Sequence, residues 1–420
     1  MRILLFIASL VWSVLPAYAQ FFVESEAEEA GFSESRLARL DSVIDRAIND
    51  RKLAGVVSLI VRDGHAVRFR PYGMRNVGAG IPMQTDAIFR IASMSKAVTS
   101  VAVMILYEDG LLMLNDPLHK FIPAFKDAVV ASKPPEDAPD SVEFVLAPAK
   151  RPITVHDLLT HRAGLTYGSG AARSLYQEAG LFGWYFADKD EPIGKSIERL
   201  GTLPLHGHPG KSWQYGFATD VLGHLVEVVS GMPLDDFFRT RIFELLGMHD
   251  TTFFLPADKS DRLAPVYGVG ESGELELREP TSTTDYIHGP RRNYSGGAGL
   301  LSTASDYGRF LQMLLGDGEL DGVRVLSPHS VELMRTNHVG AMYAGGRLGF
   351  GLGFWVIEDL GRWGEVGTVG AYGWGSAYYP IYWIDPKECL FALIMTQLIP
   401  AGGLNLNQIF YVMTYHALVE

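Results

Sequence analysis

The sequence predicts an α/β protein, an antiparallel sheet flanked by helices and interrupted by an inserted, mainly helical domain. Three observations predict it. Strand-like apolar runs lie near both ends: a hairpin formed by Val56–Arg62 and Ala66–Arg70, then Leu352–Ile357, Ala377–Ile384 and Leu390–Met395. Between them, from Ile153 to about Arg262, apolar residues recur at helical spacing. Helical patterns also accompany the strands, at 34–50 and near 405–418. One layered domain with an insertion accounts for all three, with the α/β domain at 20–110 plus 290–420 and the helical insertion at 111–289.

In chain order, the N-terminus comes first. Arg2 precedes an apolar run from Ile3 to Leu15, followed by Pro16 and Ala17-Tyr18-Ala19. That run is short for a membrane span and reads as a secretory signal over 1–19, cleaved before Gln20. The mature chain is therefore expected to be exported, periplasmic or secreted, with no stable membrane insertion. Residues 34–50 form an amphipathic helix, and Asp63-Gly64-His65 supplies the tight turn of the hairpin. Ala97–Leu106 is apolar enough for a buried helix. Ser132–Asp140 is rich in proline and acid, so 126–152 is expected to be a loop near a cleft. Thr219–Ser230 is a helix stopped by Gly231, and Pro233 opens the next.

Composition narrows the function classes. Asp plus Glu number 48 against 36 Lys plus Arg, a formal charge of −12 without any basic run, which argues against nucleic acid and anionic membrane surfaces. The single cysteine, Cys389, cannot form an internal disulfide and is expected at a buried strand position. No G-x-S-x-G, H-E-x-x-H or P-loop occurs. Gly268-Val-Gly-Glu-Ser-Gly273 lacks a bracketing strand and helix and reads as a hairpin turn. His206-Gly-His208 lacks a third ligand and reads as loop, so nothing calls for a metal or an organic cofactor.

The chemistry is carried by Ser93-Met-Ser-Lys96, the one S-x-x-K of the chain, at the start of the buried helix. At this spacing both side chains project from one face, and a helix N-terminus favours negative charge. A serine needs a base, and Tyr215, just ahead of the Thr219–Ser230 helix, is a candidate if an ammonium favours its phenolate. In Gly373-Trp374-Gly375-Ser376-Ala377, small residues would let a substrate carbonyl approach the backbone, where the N–H groups of Ala377 and Ser93 would form an oxyanion hole.

These pieces resemble the serine β-lactamase and penicillin-binding-protein superfamily, in its class C-like branch and especially the family VIII carboxylesterases. The resemblance also covers Leu114-Asn-Asp-Pro117, Ile153 to Leu165, Ser230-Gly-Met-Pro-Leu-Asp235, Leu246-Gly-Met-His-Asp-Thr251, Gly296 to Thr303, Trp383-Ile-Asp-Pro-Lys387 and Leu393 to Gln397. It implies a serine β-lactamase-like fold and acylation of Ser93, activated by Lys96 and Tyr215. Trp374, Gly375 and Ser376 would line the substrate site. His161, in the L-L-T-H-x-x-G-L stretch, is expected to be structural, packing the insertion. Two departures carry information. The middle element usually reads Tyr-x-Asn, and here Gly216 and Phe217 follow Tyr215. The third element of β-lactamases and peptidases opens with Lys or His, and here Trp374 stands there, as in the esterase branch. An indole cannot pair with a substrate carboxylate, which disfavours β-lactams and peptidoglycan stems. Ser376 replaces a glycine common in that branch. The expectation is an exported serine hydrolase, a carboxylesterase for short or compact acyl esters, with small-molecule ester or amide substrates. The alternatives are a β-lactamase or D-amino-acid peptidase in which Arg291 or Arg292 supplies the cation, and a non-catalytic cell-wall-binding relative. The oligomeric state is left open.

Overall fold

The structure, a computed structural model, describes residues 22–139 and 141–420. The signal expected at 1–19 lies outside the described residues. A nine-stranded sheet forms the centre. Its middle strands are β1 (Gly55–Arg62), β2 (His65–Asn76), β3 (Tyr372–Gly375), β4 (Ile381–Asp385) and β5 (Leu390–Met395), in the spatial order β2-β1-β5-β4-β3 and antiparallel throughout. The two ends of the chain therefore meet at the β1–β5 pair.

β1 and β5 are apolar along nearly their whole length although the sheet is antiparallel, because helices cover both faces. The alternation of side chains divides them cleanly. Val57, Leu59 and Val61 join Phe391, Leu393 and Met395 in a core with helices α2 (Ser95–Glu108) and α4 (Ala304–Leu315). Val56, Ile60, Leu390, Ala392 and Ile394 face the other way, onto Leu37, Leu40 and Ile44 of α1 (Glu34–Asn49) and Leu406 and Phe410 of α5 (Leu406–Ala417). Each such side chain contributes about 1.5–3 kcal/mol when fully buried. α2 is buried from Ser95 to Leu106, which explains why it is apolar all round. The mainly helical middle of the chain docks on it through α3 (Ala218–Ser230). This is the mixed α/β architecture that the sequence predicts.

Four local expectations change. The run Leu352–Ile357 is not one strand. Gly349–Phe350 and Trp355–Val356 pair antiparallel across a reversal in which Gly351 N–H donates to Phe354 O and Gly353 holds φ at 105°. The run Ala377–Ile384 likewise begins with a turn, and the strand starts only at Ile381. Within 126–152, Val129–Ser132 pairs with Val145–Pro148, so the Pro-rich stretch closes a two-stranded hairpin. Cys389 is exposed, with φ of 48°, in the turn that leads into β5. The Gly268–Gly273 stretch lies at a hairpin between Val266–Val269 and Leu275–Glu279, as expected. Among the described residues no helix is long and apolar enough to cross a membrane.

Candidate active site

Ser93 stands two residues before α2, on a single 3-10 turn over Ala92–Met94, rather than in the first turn of the α-helix. Ala92 reaches this turn with φ of 36°, a conformation that costs a non-glycine residue about 1–2 kcal/mol. The approach is pinned by Arg90, which is fully buried and donates to Ala264 O, Gln397 Oε1 and Glu279 Oε1. Gln397 in turn accepts from Arg90 N–H and donates to Arg90 O.

Lys96 follows one turn later and is 1 % exposed. Its ammonium donates to Ser93 Oγ at 3.4 Å, Tyr167 Oη at 3.0 Å and Gly297 O at 2.6 Å. Tyr215 O–H donates to Ser93 Oγ at 2.7 Å, and Lys96 Nζ lies 4.8 Å from the centre of the Tyr215 ring. Burial alone would strip the proton from Lys96, yet Tyr167, Tyr215 and Asp220 together raise its affinity above the ordinary lysine value. Lys96 is thus a buried cation, and all three of its donors are used.

Distant glycines make this convergence possible. Gly216 presses on the Thr166 backbone, where a Cβ would come within 2.4 Å, so the residue after Tyr215 has no room for a side chain. Phe217 is fully buried with its ring 5.0 Å from Tyr167, which is why no amide follows Tyr215 into the cleft. Gly296 and Gly297 thread between α2 and α3: their Cβ atoms would strike Thr219 O at 2.8 Å and Asp220 Oδ2 at 2.5 Å. Thr99 Oγ1 donates to Gly296 O, and Leu300 N–H to Ser95 Oγ, which fixes that segment along α2.

The turn after β3 forms the other wall. β3 lies against the Ser93 turn. The N–H groups of Ser376, Tyr378 and Tyr379 are taken up by Pro380 O, Ser376 Oγ and Ser376 O, whereas that of Ala377 has no acceptor among the described residues. Ala377 packs on the small cluster that contains Ala92, next to Ser93. Trp374 lies 5.7 Å from the Tyr215 ring and 5.4 Å from Phe350, an aromatic wall that Tyr343 extends. Gly375 and Ser376 are partly exposed at its edge. A cleft of about 530 Å³ lined by Trp184, Tyr185, Val266, Tyr378 and Ile399 among others shares residues with the small cluster that contains Ala92, and its lining includes none of Ser93, Lys96, Tyr215 and Trp374.

His161 packs between Trp213, Tyr215 and Phe350, and burial with Lys96 nearby pushes its pKa down to about 3, so it is a neutral ring supporting Tyr215. Arg291 stacks on Phe254 and Arg292 pairs with Asp190, so both are engaged away from this constellation. Among the described residues no group of His, Cys, Asp or Glu could hold a metal. Sequence reasoning missed Tyr167, Asp220 and Gly297. Tyr167 closes the stretch after His161 and Asp220 lies five residues after Tyr215, but neither spacing alone distinguishes them from core residues.

The similarities to known proteins agree with this geometry. Residues 40–404 match the family described as Beta-lactamase. Protein Rv1367c of Mycobacterium tuberculosis is 36% identical over 370 residues, 83% of this chain and 86% of that one. Esterase EstB of Burkholderia gladioli is 29% identical over 381 residues, 86% of this chain and 90% of that one. The solved structure of EstCE1, described as a hydrolase with promiscuous acyltransferase activity, matches with a TM-score of 0.76 at 26% identity, over 92% of this chain and 99% of that one. A match of that length, over a serine held by a lysine and a tyrosine, means that this chain belongs to the Beta-lactamase family.

Proposed function

We propose that the chain is an exported carboxylesterase that cleaves esters of short or compact acyl groups through an acyl-enzyme on Ser93. Its family makes it a serine hydrolase or acyl-transferring enzyme. The observation that carries the finer reading is the Ser93 hydroxyl held at 2.7 Å by Tyr215 and 3.4 Å by an ammonium, beside a wall of rings rather than a free cation.

In the reactive state Tyr215 has released its own proton to solvent, and its phenolate oxygen accepts from the Ser93 O–H along the same bond. Ser93 Oγ attacks the ester carbonyl as its proton passes to Tyr215, and the Lys96 charge offsets the negative charge that Tyr215 carries before the transfer. The carbonyl oxygen becomes an oxyanion facing the Ser93 and Ala377 N–H groups. Collapse expels the alcohol, which leaves with the proton returned by Tyr215. A water then repeats the sequence, giving up its proton to Tyr215 and releasing the acid and free Ser93.

Trp374 and its neighbouring rings support an uncharged substrate, because no cation there would compensate a carboxylate. The deciding experiment measures initial rates on p-nitrophenyl acetate, butyrate and octanoate beside nitrocefin, for the wild type and Ser93→Ala. Ester turnover that vanishes in the variant, with acetate or butyrate preferred and little nitrocefin hydrolysis, is expected. Dominant nitrocefin hydrolysis would replace the esterase by a β-lactamase. Export is checked by the N-terminal residue of the secreted protein, expected to be Gln20.

A further inference from the structure

One buried carboxylate has no part in the steps above. Asp220 lies in the first turn of α3, five residues after Tyr215, and is 1 % exposed. Its Oδ1 accepts from Ser295 Oγ at 2.5 Å and from Gly297 N–H at 3.0 Å, while its Oδ2 is buried without a hydrogen-bond partner. Gly297 is pressed so closely on it that a Cβ would lie 2.5 Å from Oδ2. The same glycine turns its carbonyl to Lys96 at 2.6 Å.

We propose that Asp220 is a positioning residue for the hydrolase reaction: its negative charge keeps Lys96 an ammonium, and its hold on the Gly297 N–H fixes the carbonyl on which Lys96 rests. The assignment rests on the function proposed above. Every acceptor that touches Lys96 is neutral, and a buried ammonium so placed loses its proton unless an anion lies within its field. The ionisable groups facing Lys96 are Tyr167, Tyr215, His161 and Asp220. In the resting site Tyr215 keeps its O–H on Ser93 Oγ, and burial keeps Tyr167 neutral and His161 uncharged, which leaves Asp220 as the carboxylate among them.

Asp220 Oδ1 is held by the Ser295 hydroxyl and by the Gly297 N–H, which can only donate. The Lys96 charge opposes the burial that raises the carboxyl's proton affinity, and in this proposal Asp220 is the anion that answers that charge.

The test is the pH dependence of kcat/KM on p-nitrophenyl butyrate, with labelling of Ser93 by a fluorophosphonate measured in parallel, for the wild type and Asp220→Asn. The alkaline limb of the variant is expected to move down by about one pH unit or more, since an opposite charge at this range shifts a pKa by that much. KM should change little and the rate above the shifted limb should fall about tenfold. A lower melting temperature with an unmoved limb would reduce Asp220 to a structural role and overturn the proposal. Wild type that neither turns over ester nor labels at Ser93 would instead sink the hydrolase reading. The Lys96 coupling then remains readable by the nitrogen NMR signal of its side chain, expected to stay an ammonium at pH 9 in wild type and to titrate lower in Asp220→Asn. If Asp220→Asn does not fold, Lys96→Ala reads the same coupling from the other side. The Asp220 carboxyl carbon should titrate about one unit higher there than in wild type, and equal titration would overturn the proposal.

Discussion

Two buried polar clusters hold distant parts of this chain together, and they treat charge in opposite ways. Around Lys96, side chains from α2, from Tyr167, from Tyr215 and from the Gly297 segment gather on an ammonium that stays protonated. Around His156, Arg162 donates to Nδ1 at 3.1 Å, so His156 Nε2–H must donate to His338 Nδ1 at 3.1 Å, and His338 Nε2–H to Leu333 O at 2.9 Å. That chain of bonds works only with both rings neutral. Burial is the largest influence at both sites and opposes charge at both. What differs is the neighbourhood: Lys96 faces phenols and a carboxylate, whereas at His156 the Arg162 charge adds to burial beside the His338 ring, and its pKa is pushed down to about 4. Burial alone does not decide protonation; the sign of the nearest charges does.

The most forceful way to break the contrast is to dismantle the charged cluster. Ser93→Ala is expected to reduce ester turnover by about 10⁴-fold or more, and Lys96→Ala and Tyr215→Phe each by about 10²–10⁴-fold. Initial-rate kinetics with matched circular dichroism would check this. Near-normal turnover in Tyr215→Phe would mean that another group takes the Ser93 proton. Tyr167→Phe is gentler. It removes one neutral acceptor from the ammonium without touching Ser93, so kcat should fall about tenfold, in line with one hydrogen bond to a charged group. An unchanged kcat would show that Tyr167 merely fills space.

The charged cluster was only half legible in the sequence, and the reason is geometric. Ser93 and Lys96 are three positions apart on adjoining helical turns, so their meeting follows from helix geometry. Tyr167 and Gly297 reach the same ammonium from 71 and 201 positions away, through glycines whose necessity shows only when Thr166 and Asp220 are found pressed against them. The fold divides similarly. β1 and β5 announce themselves because both faces are buried: β5 reads as an unbroken apolar run, and β1 as one interrupted only at Ser58 before Arg62. The reversal at Gly351–Phe354 and the turn at Ser376–Pro380 hide inside equally apolar runs, and Tyr379, at φ of 81°, gives no glycine signal for its turn. The resemblance supplied Ala377 as a position, but only the turn shows why its N–H is free while its neighbours' are not.

The neutral cluster can be broken more mildly. His338→Phe removes the acceptor of His156 Nε2–H and leaves a partly buried donor without a partner, which should lower unfolding free energy by about 1 kcal/mol. Chemical denaturation at pH 8 checks it. Turnover should be unaffected, because the tie of His338 to Phe350 in the aromatic wall runs through its backbone N–H, which phenylalanine keeps. A parallel loss of kcat would show that the two clusters are coupled.

The smallest expected effect is also the most specific, because its sign is fixed by the direction of the shift. His156 has a folded pKa of about 4, against an ordinary value of 6.5. Above 6.5 both folded and unfolded chains hold it neutral, and it contributes no pH dependence. Between 6.5 and about 4 the unfolded chain takes up a proton that the folded chain refuses, so stability falls as pH falls through that window and levels off below it. Asp306 works in the opposite sense over much of the same window, since burial pushes its carboxyl up to about 6 and acidification therefore favours its folded form. The raw melting curve mixes the two. The difference between wild type and His156→Gln isolates the histidine: on going from pH 7 to pH 4.5 the wild type should lose melting temperature relative to the variant. A flat difference would mean that His156 is already charged in the folded protein, and that the two clusters do not differ in the way their hydrogen bonds require.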